Sequence, residues 1–227
     1  MLIAGFKPDS MVDWRGKIVA TVFTHGCNFR CPFCHNFYLV TKKPTHIYGE
    51  REIIEEVKKL SPWIDGVCIT GGEPTLHVDI VDFVKKLKDI TRVKIDTNGT
   101  HPEIIEKIIE YVDYVAMDVK APPYLYNKVA GSSVKLDAIK KSIEIIKKYA
   151  KDYEFRTTVI PMLSKEDLEN IAKWIGTAKR YVLQQFSIAG GTLDPNYTLL
   201  KPYPSDFLKK VCESIKLQFE ECLIVNI

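Results

Sequence analysis

Two hydrophobic rhythms alternate along the chain. Short apolar runs at residues 18–23, 67–70, 93–97, 114–119, 155–160 and 181–187 predict strands. Between them, apolar residues recur at helical spacing. Ile53, Ile54, Val57 and Leu60 form one set, Ile80, Val81, Val84 and Leu87 a second, and Ile104, Ile105, Ile108 and Ile109 a third. Segments 134–149 and 168–175 continue the series, with Ser164 placed to cap the second and Glu166 and Asp167 in its first turn. A last helix is predicted over 205–219, ahead of a short apolar tail able to form another strand.

Strands that alternate with helices predict a parallel sheet with right-handed crossovers. Six such units are too few to close an eight-stranded barrel, so the expected fold is α/β, a partial (β/α)6 TIM-like barrel of parallel strands. No linker-like composition, low-complexity tract or repeat divides it, which predicts a single domain over residues 1–227. Ala121-Pro122-Pro123 reads as a rigid loop within that domain. Functional loops of such barrels follow the C-terminal ends of the strands, and four notable segments fall there: 27–34, 71–75, 96–99 and 118–120.

The first of these holds Cys27, Cys31 and Cys34. Three thiolates leave one iron of a four-iron cluster without a protein ligand, and an open metal position is where a small molecule can be coordinated and transformed. A c-type haem attachment at Cys31-Pro32-Phe33-Cys34-His35 and a Cys31/Cys34 redox pair match the spacing less completely. Zinc held by the three cysteines with His25 or His35 is the stronger alternative. The second segment, Gly71-Gly72-Glu73-Pro74-Thr75, ends an apolar run in two residues without Cβ atoms and a carboxylate, which suits close approach of backbone to a ligand or simply a tight turn. Asp96 reads as a ligand contact or a turn residue before Asn98-Gly99. Arg156 lies inside a strand, as a ligand contact or a buried ion-pair partner.

Composition narrows the class. An apolar share of 46% supports a sizeable core, and a net charge of +3 does not indicate a nucleic-acid binder. Lysine pairs such as Lys85-Lys86 and Lys147-Lys148 lie on helical segments and read as solvated faces. No apolar stretch reaches membrane-spanning length and no signal peptide is evident, so a cytoplasmic protein with no membrane partner is expected. In a reducing compartment Cys68, Cys212 and Cys222 are expected to be free, mostly buried thiols.

Together, the Cys-x3-Cys-x2-Cys segment and Gly71-Gly72-Glu73-Pro74 resemble the radical S-adenosylmethionine (SAM) superfamily. The likeness sharpens at 23–27 leading into Cys34-His35-Asn36, at Asp96-Thr97-Asn98-Gly99 and at Met117-Asp118-Val119-Lys120, which are similar to glycyl-radical-enzyme activases. Residues 3–6 and 12–17, with Leu183-Gln184-Gln185-Phe186 and Thr192-Leu193-Asp194, look like the longer anaerobic ribonucleoside-triphosphate reductase activating proteins. Trp14-Arg15-Gly16 departs from the Tyr-Pro-Gly more usual there.

The resemblance implies an oxidoreductase with a 4Fe-4S cluster on Cys27, Cys31 and Cys34 that reductively cleaves SAM to methionine and a 5'-deoxyadenosyl radical. That radical would take a hydrogen from a backbone glycine of a partner, anaerobic ribonucleotide reductase by the subfamily motifs. A pyruvate formate-lyase-type activase and a radical enzyme acting on a small molecule stand as alternatives. Gly71, Gly72 and Glu73 would hold the methionyl amino group, and Phe33 and His35 would border the adenosine. Asp96, Thr97 and Asp118 would build a monovalent-cation site, and Lys120 and Arg156 would bind the carboxylate or ribose. His25 would support the loop from behind. Without an inserted ferredoxin-like domain, the electron would come from a separate flavodoxin- or ferredoxin-like donor.

Overall fold

The computed structural model describes residues 1–226. Its strands are β1 (Ile3–Ser10), β2 (Val19–Thr24), β3 (Gly66–Gly71), β4 (Val93–Thr97), β5 (Tyr114–Asp118), β6 (Tyr153–Val159), β7 (Ala178–Gln185) and β8 (Phe219–Val225). They form one sheet in chain order, antiparallel between β1 and β2 and parallel from β2 to β8. The helices are α1 (Tyr38–Thr41), α2 (Glu50–Leu60), α3 (Ile80–Lys88), α4 (Pro102–Ile108), α5 (Tyr126–Ala130), α6 (Leu136–Tyr149), α7 (Lys165–Ile175) and α8 (Ser205–Ile215). The six expected strands are therefore present as a parallel partial barrel, and the apolar tail adds a further parallel strand, β8, beside β7.

The strand β1 goes beyond the sequence reading. Gly5, Lys7 and Pro8 interrupt any alternation there, yet an antiparallel edge tolerates a proline that cannot donate. The register shifts between Lys7 and Ser10, after which the chain turns under the barrel. Ser164 caps α7 as expected: its hydroxyl accepts from Asp167 N–H at 3.1 Å while the Asp167 carboxylate accepts from Ser164 N–H at 2.8 Å, a reciprocal cap contributing about 1 kcal/mol.

Side chains alternate across the strands, and the alternation sorts them by polarity. Ile69, Ile95, Met117, Phe155, Tyr181 and Leu183 are buried in the main apolar core, packed with residues such as Phe83, Val84, Ile105, Ile143 and Ile171 from the helices. The intervening positions face the barrel interior. The Thr70 hydroxyl donates to Asp96 at 3.2 Å, and paired register brings Asp118 beside Arg156, Ala116 beside Glu154 and Thr158 beside Gln184. The interior is therefore a polar cavity of about 1330 Å³. Its lower end carries a small separate cluster of Trp14, Val19, Cys68, Tyr114 and Ala116, in which the Trp14 and Tyr114 rings lie 5.7 Å apart.

One thiol expectation is corrected. Cys212 on α8 and Cys222 on β8 form a disulfide with Cα atoms 5.9 Å apart, because the chain reverses through 216–218 and lays the strand against the helix. Cys68 is free and fully buried.

Candidate active site

The loop after β2 carries Cys27, Cys31 and Cys34, all free and all on the cavity wall. Its backbone is held from several sides. Arg30 N–H donates to Ala130 O at 2.9 Å, Glu73 N–H donates to Gly26 O at 2.8 Å, and Leu193 and Asp194 N–H donate to the carbonyls of Cys34 and Pro32 at 3.2 and 2.9 Å. Three further elements thus fix where the thiols point. Two amide donors approach the sulfur of Cys27: Phe29 N–H at 3.4 Å and Asn98 Nδ2 at 3.8 Å. Burial pushes the Cys27 thiol up to about 11, with Glu73 adding to the rise, and the Cys31 thiol up to about 12, opposed chiefly by Lys120.

These residues suit a cluster. Cluster irons take one cysteine thiolate each, and among the described residues no three His, Cys, Asp or Glu side chains converge on a single metal-ion position. The histidines proposed for a zinc site are engaged elsewhere: His25 Nε2–H donates to Lys42 O at 2.8 Å, and His35 Nε2–H to Ser187 O at 2.7 Å. Among the described residues no carboxylate is hydrogen-bonded to the three thiols, so thiolate remains the donor set on offer.

The turn after β3 lies directly against this loop. A Cβ on Gly72 would stand 1.9 Å from Gly26 O, so only glycine lets the two backbones meet. Gly72→Ala is expected to separate them at a cost of about 1–3 kcal/mol and to lower iron retention after anaerobic reconstitution. Wild-type iron content and melting temperature in this variant would show that the contact is dispensable.

Glu73 is 1% exposed, and its carboxylate is occupied by the protein. Oε1 accepts from Thr75 N–H, from the Thr75 hydroxyl and from the Thr97 hydroxyl at 2.7 Å, while Oε2 accepts from Asn98 N–H at 2.6 Å. Burial raises its pKa against these four donors. The side chain thereby ties the turn after β3 to the end of β4. Thr97 is committed to the same tie.

Asp96 and Asp118 lie among protein cations. Asp96 accepts from Lys94 Nζ at 2.6 Å and faces Arg156 at 3.4 Å; Asp118 accepts from Arg156 Nε at 2.9 Å and from Lys120 Nζ at 2.8 Å. Burial raises the Asp118 carboxyl, but Arg156 and then Lys120 outweigh it and hold it well below the usual range. Three cations thus occupy the sides of these carboxylates where the sequence reading expects a monovalent ion. Both readings of Arg156 hold at once, since it is a buried ion-pair partner whose side chain lines the cavity. Phe33 and His35 also line it.

Sequence reasoning missed the deeper part of this network. Lys94 is 3% exposed and also donates to Asp13 O; Tyr114 OH donates to Glu154 at 2.7 Å, and Arg180 donates to Tyr114 OH at 3.0 Å. The available signal was the two-residue period: Lys94 and Asp96 share one side of β4, as Glu154 and Arg156 share one side of β6.

Residues 21–175 match the profile of the Radical SAM superfamily. The chain belongs to the radical SAM superfamily. A Methanocaldococcus jannaschii protein provisionally named a glycyl-radical enzyme activating enzyme is 37% identical over 195 residues, covering 82% of this chain and 80% of its own. The pyruvate formate-lyase-activating enzyme of Clostridium pasteurianum is 28% identical over 175 residues, covering 73% of this chain and 72% of its own. Among solved structures, a domain of the pyruvate-formate lyase-activating enzyme from Bacteroides vulgatus superposes with a TM-score of 0.57 at 14% identity, covering 71% of this chain and 99% of that domain. This radical SAM protein is accordingly an enzyme of the glycyl-radical-enzyme activase branch, an oxidoreductase whose family uses a 4Fe-4S cluster and SAM. Among the described residues no helix is long and apolar enough to cross a membrane.

Proposed function

We propose that the chain activates anaerobic ribonucleotide reductase by generating a glycyl radical on it. What supports this choice of partner is the place of the subfamily motifs: the segment 192–194 is hydrogen-bonded along the cysteine loop, at Cys34 and Pro32, and Gln184 and Gln185 line the cavity. Cavity size supports a macromolecular substrate. A small-molecule site occupies roughly 300–1,000 Å³, and about 1330 Å³ leaves room for a cofactor and an inserted peptide.

Cys27, Cys31 and Cys34 would hold the cluster. Bound there with SAM, the cofactors supply one-electron cleavage of a carbon–sulfur bond and a radical able to abstract hydrogen. The chain's own work is binding, orientation and exclusion of water. Gly71, Gly72 and Glu73 present the turn that receives the methionyl amino group, with Glu73 acting as the tie that fixes its shape. Lys120 and Arg156 offer positive charge to the methionyl carboxylate or ribose, and Phe33 and His35 border the adenosine. A monovalent cation at Asp96, Thr97 and Asp118 would have to displace the lysine and arginine partners of those carboxylates. A separate electron carrier completes the system, in a cytoplasmic setting.

Hydrogen abstraction requires the target glycine Cα beside the cofactor, so the partner's glycine loop must leave its own fold and enter the cavity. Reduced protein, SAM and the reductase should yield a protein-centred doublet in electron paramagnetic resonance, lost when the target glycine becomes alanine. The relationship to a pyruvate formate-lyase-activating enzyme favours one rival partner. A doublet on a pyruvate formate-lyase-type enzyme alone, or SAM cleavage with no protein radical, would overturn the assignment.

A further inference from the structure

Asn98 follows β4, is 5% exposed, and uses every hydrogen-bonding position of its side chain. Its Oδ1 accepts from Thr100 N–H at 3.1 Å and from the Thr100 hydroxyl at 2.7 Å. Its Nδ2 donates to Asn28 Oδ1 at 2.9 Å and to Cys27 Sγ at 3.8 Å. Asn28 Nδ2 in turn donates to the Thr100 hydroxyl at 2.9 Å, which closes a ring of three side chains over the start of the cysteine loop. A backbone group sets the direction of this ring. Thr100 N–H can only donate, so the oxygen of the Asn98 amide faces it and the NH2 group faces Cys27. Asn98 N–H is itself held by Glu73 Oε2 at 2.6 Å, and the chain turns at Gly99, at φ +77, where a Cβ would stand 2.1 Å from Met117 Cε. An ordinary turn needs only the amide oxygen, on Thr100 N–H. The NH2 group instead reaches a loop 70 residues earlier in the chain, and among the described residues no other side chain donates to the sulfur of Cys27, Cys31 or Cys34.

We infer that Asn98 is a positioning residue for electron uptake: its amide donor, aimed at the sulfur of Cys27 by Thr100 and Asn28, raises the reduction potential of the cluster held by the three cysteines. The inference rests on the radical SAM reading of Cys27, Cys31 and Cys34. A donor to a thiolate favours the state with more negative charge, which is the reduced one. Burial raises the Cys27 thiol, so a charged sulfur is poorly solvated there and each protein donor counts for more. Phe29 N–H, 3.4 Å from the same sulfur, is a backbone donor that remains in any Asn98 variant. Loss of the Asn98 amide should therefore shift the potential without removing the ligand.

The test is a redox titration of the cluster-loaded protein, followed by anaerobic absorbance and electron paramagnetic resonance. Asn98→Leu keeps the branched shape and removes the donor. At the wild-type midpoint it should lower the ratio of reduced to oxidised cluster by about tenfold, a fall of about 59 mV for one electron. Thr100→Val leaves the amide in place but removes one of the groups that aim it, and should shift the ratio in the same direction by less. Thr100→Ser keeps the hydroxyl and should match wild type. Iron content per chain should equal that of wild type in all three variants. A wild-type midpoint in iron-replete Asn98→Leu overturns the inference and leaves Asn98 as a turn residue. If Asn98→Leu does not take up iron, Thr100→Val decides: a lowered potential that serine restores upholds the inference, and an unchanged one overturns it. Neither result touches the proposed activity, which SAM cleavage by the wild-type protein under dithionite tests separately. A wild-type protein that assembles no four-iron cluster would sink the proposed cluster site and this inference with it.

Discussion

Replacing any one of Cys27, Cys31 and Cys34 with alanine should abolish the cluster absorbance and the reductive cleavage of SAM. Each change removes one of the three free thiols on the cavity wall, and Cys68, the other free cysteine among the described residues, does not line that wall. Cys68 is fully buried beside Lys94, and Cys212 and Cys222 are joined across α8 and β8, so serine at those three positions should leave iron content intact. Iron analysis and anaerobic absorbance after reconstitution decide the matter. A cluster that survives loss of Cys27, Cys31 or Cys34 but not of Cys68 would refute the ligand set.

Arg156→Ala should destabilise the fold by about 1.5–3 kcal/mol, the usual cost of losing a hydrogen bond between charged groups. The guanidinium stands between Asp96 at 3.4 Å and Asp118 at 2.9 Å with its side chain 12% exposed, so its removal takes one of two cationic partners from each, leaving Lys94 on Asp96 and Lys120 on Asp118. Against a total of roughly 5–15 kcal/mol for a domain, that loss is large. Adding Asp118→Asn should recover part of it, because the two side chains are coupled. Urea denaturation of the two variants and wild type measures both effects, and a loss under about 1 kcal/mol in the single variant would contradict the ion-pair account.

The strands and helices of the repeated units were legible because each carries a long apolar signal in one period. The edge strand β1 was not, since Gly5 and Pro8 erase its alternation and its stability comes from pairing with β2. That Cys27, Cys31, Cys34 and Gly72 share one mouth was legible, because each follows the C-terminal end of a strand in the expected parallel sheet, and the structure puts all four on one cavity wall. What the side chains of Glu73, Thr97, Asp96 and Asp118 bind was not legible, because it depends on partners 24 to 60 residues away that only the sheet register brings close. The disulfide was hidden for a related reason: sequence spacing shows two cysteines ten residues apart, but only the reversal at 216–218 shows that their Cα atoms come within 5.9 Å.

The division of the sheet into an apolar outer side and an ionised inner side bears on how such enzymes diversify. Packing that holds the barrel together involves Ile69, Ile95, Phe155 and Leu183 with the helices, and none of these side chains lines the cavity. Inward positions such as Thr158, Val182 and Gln184 can therefore exchange size or polarity with little loss of packing. A lineage built this way can acquire a new substrate by altering a few inward residues while its melting temperature stays nearly constant. The charged pairs are the exception, and they change safely only two at a time.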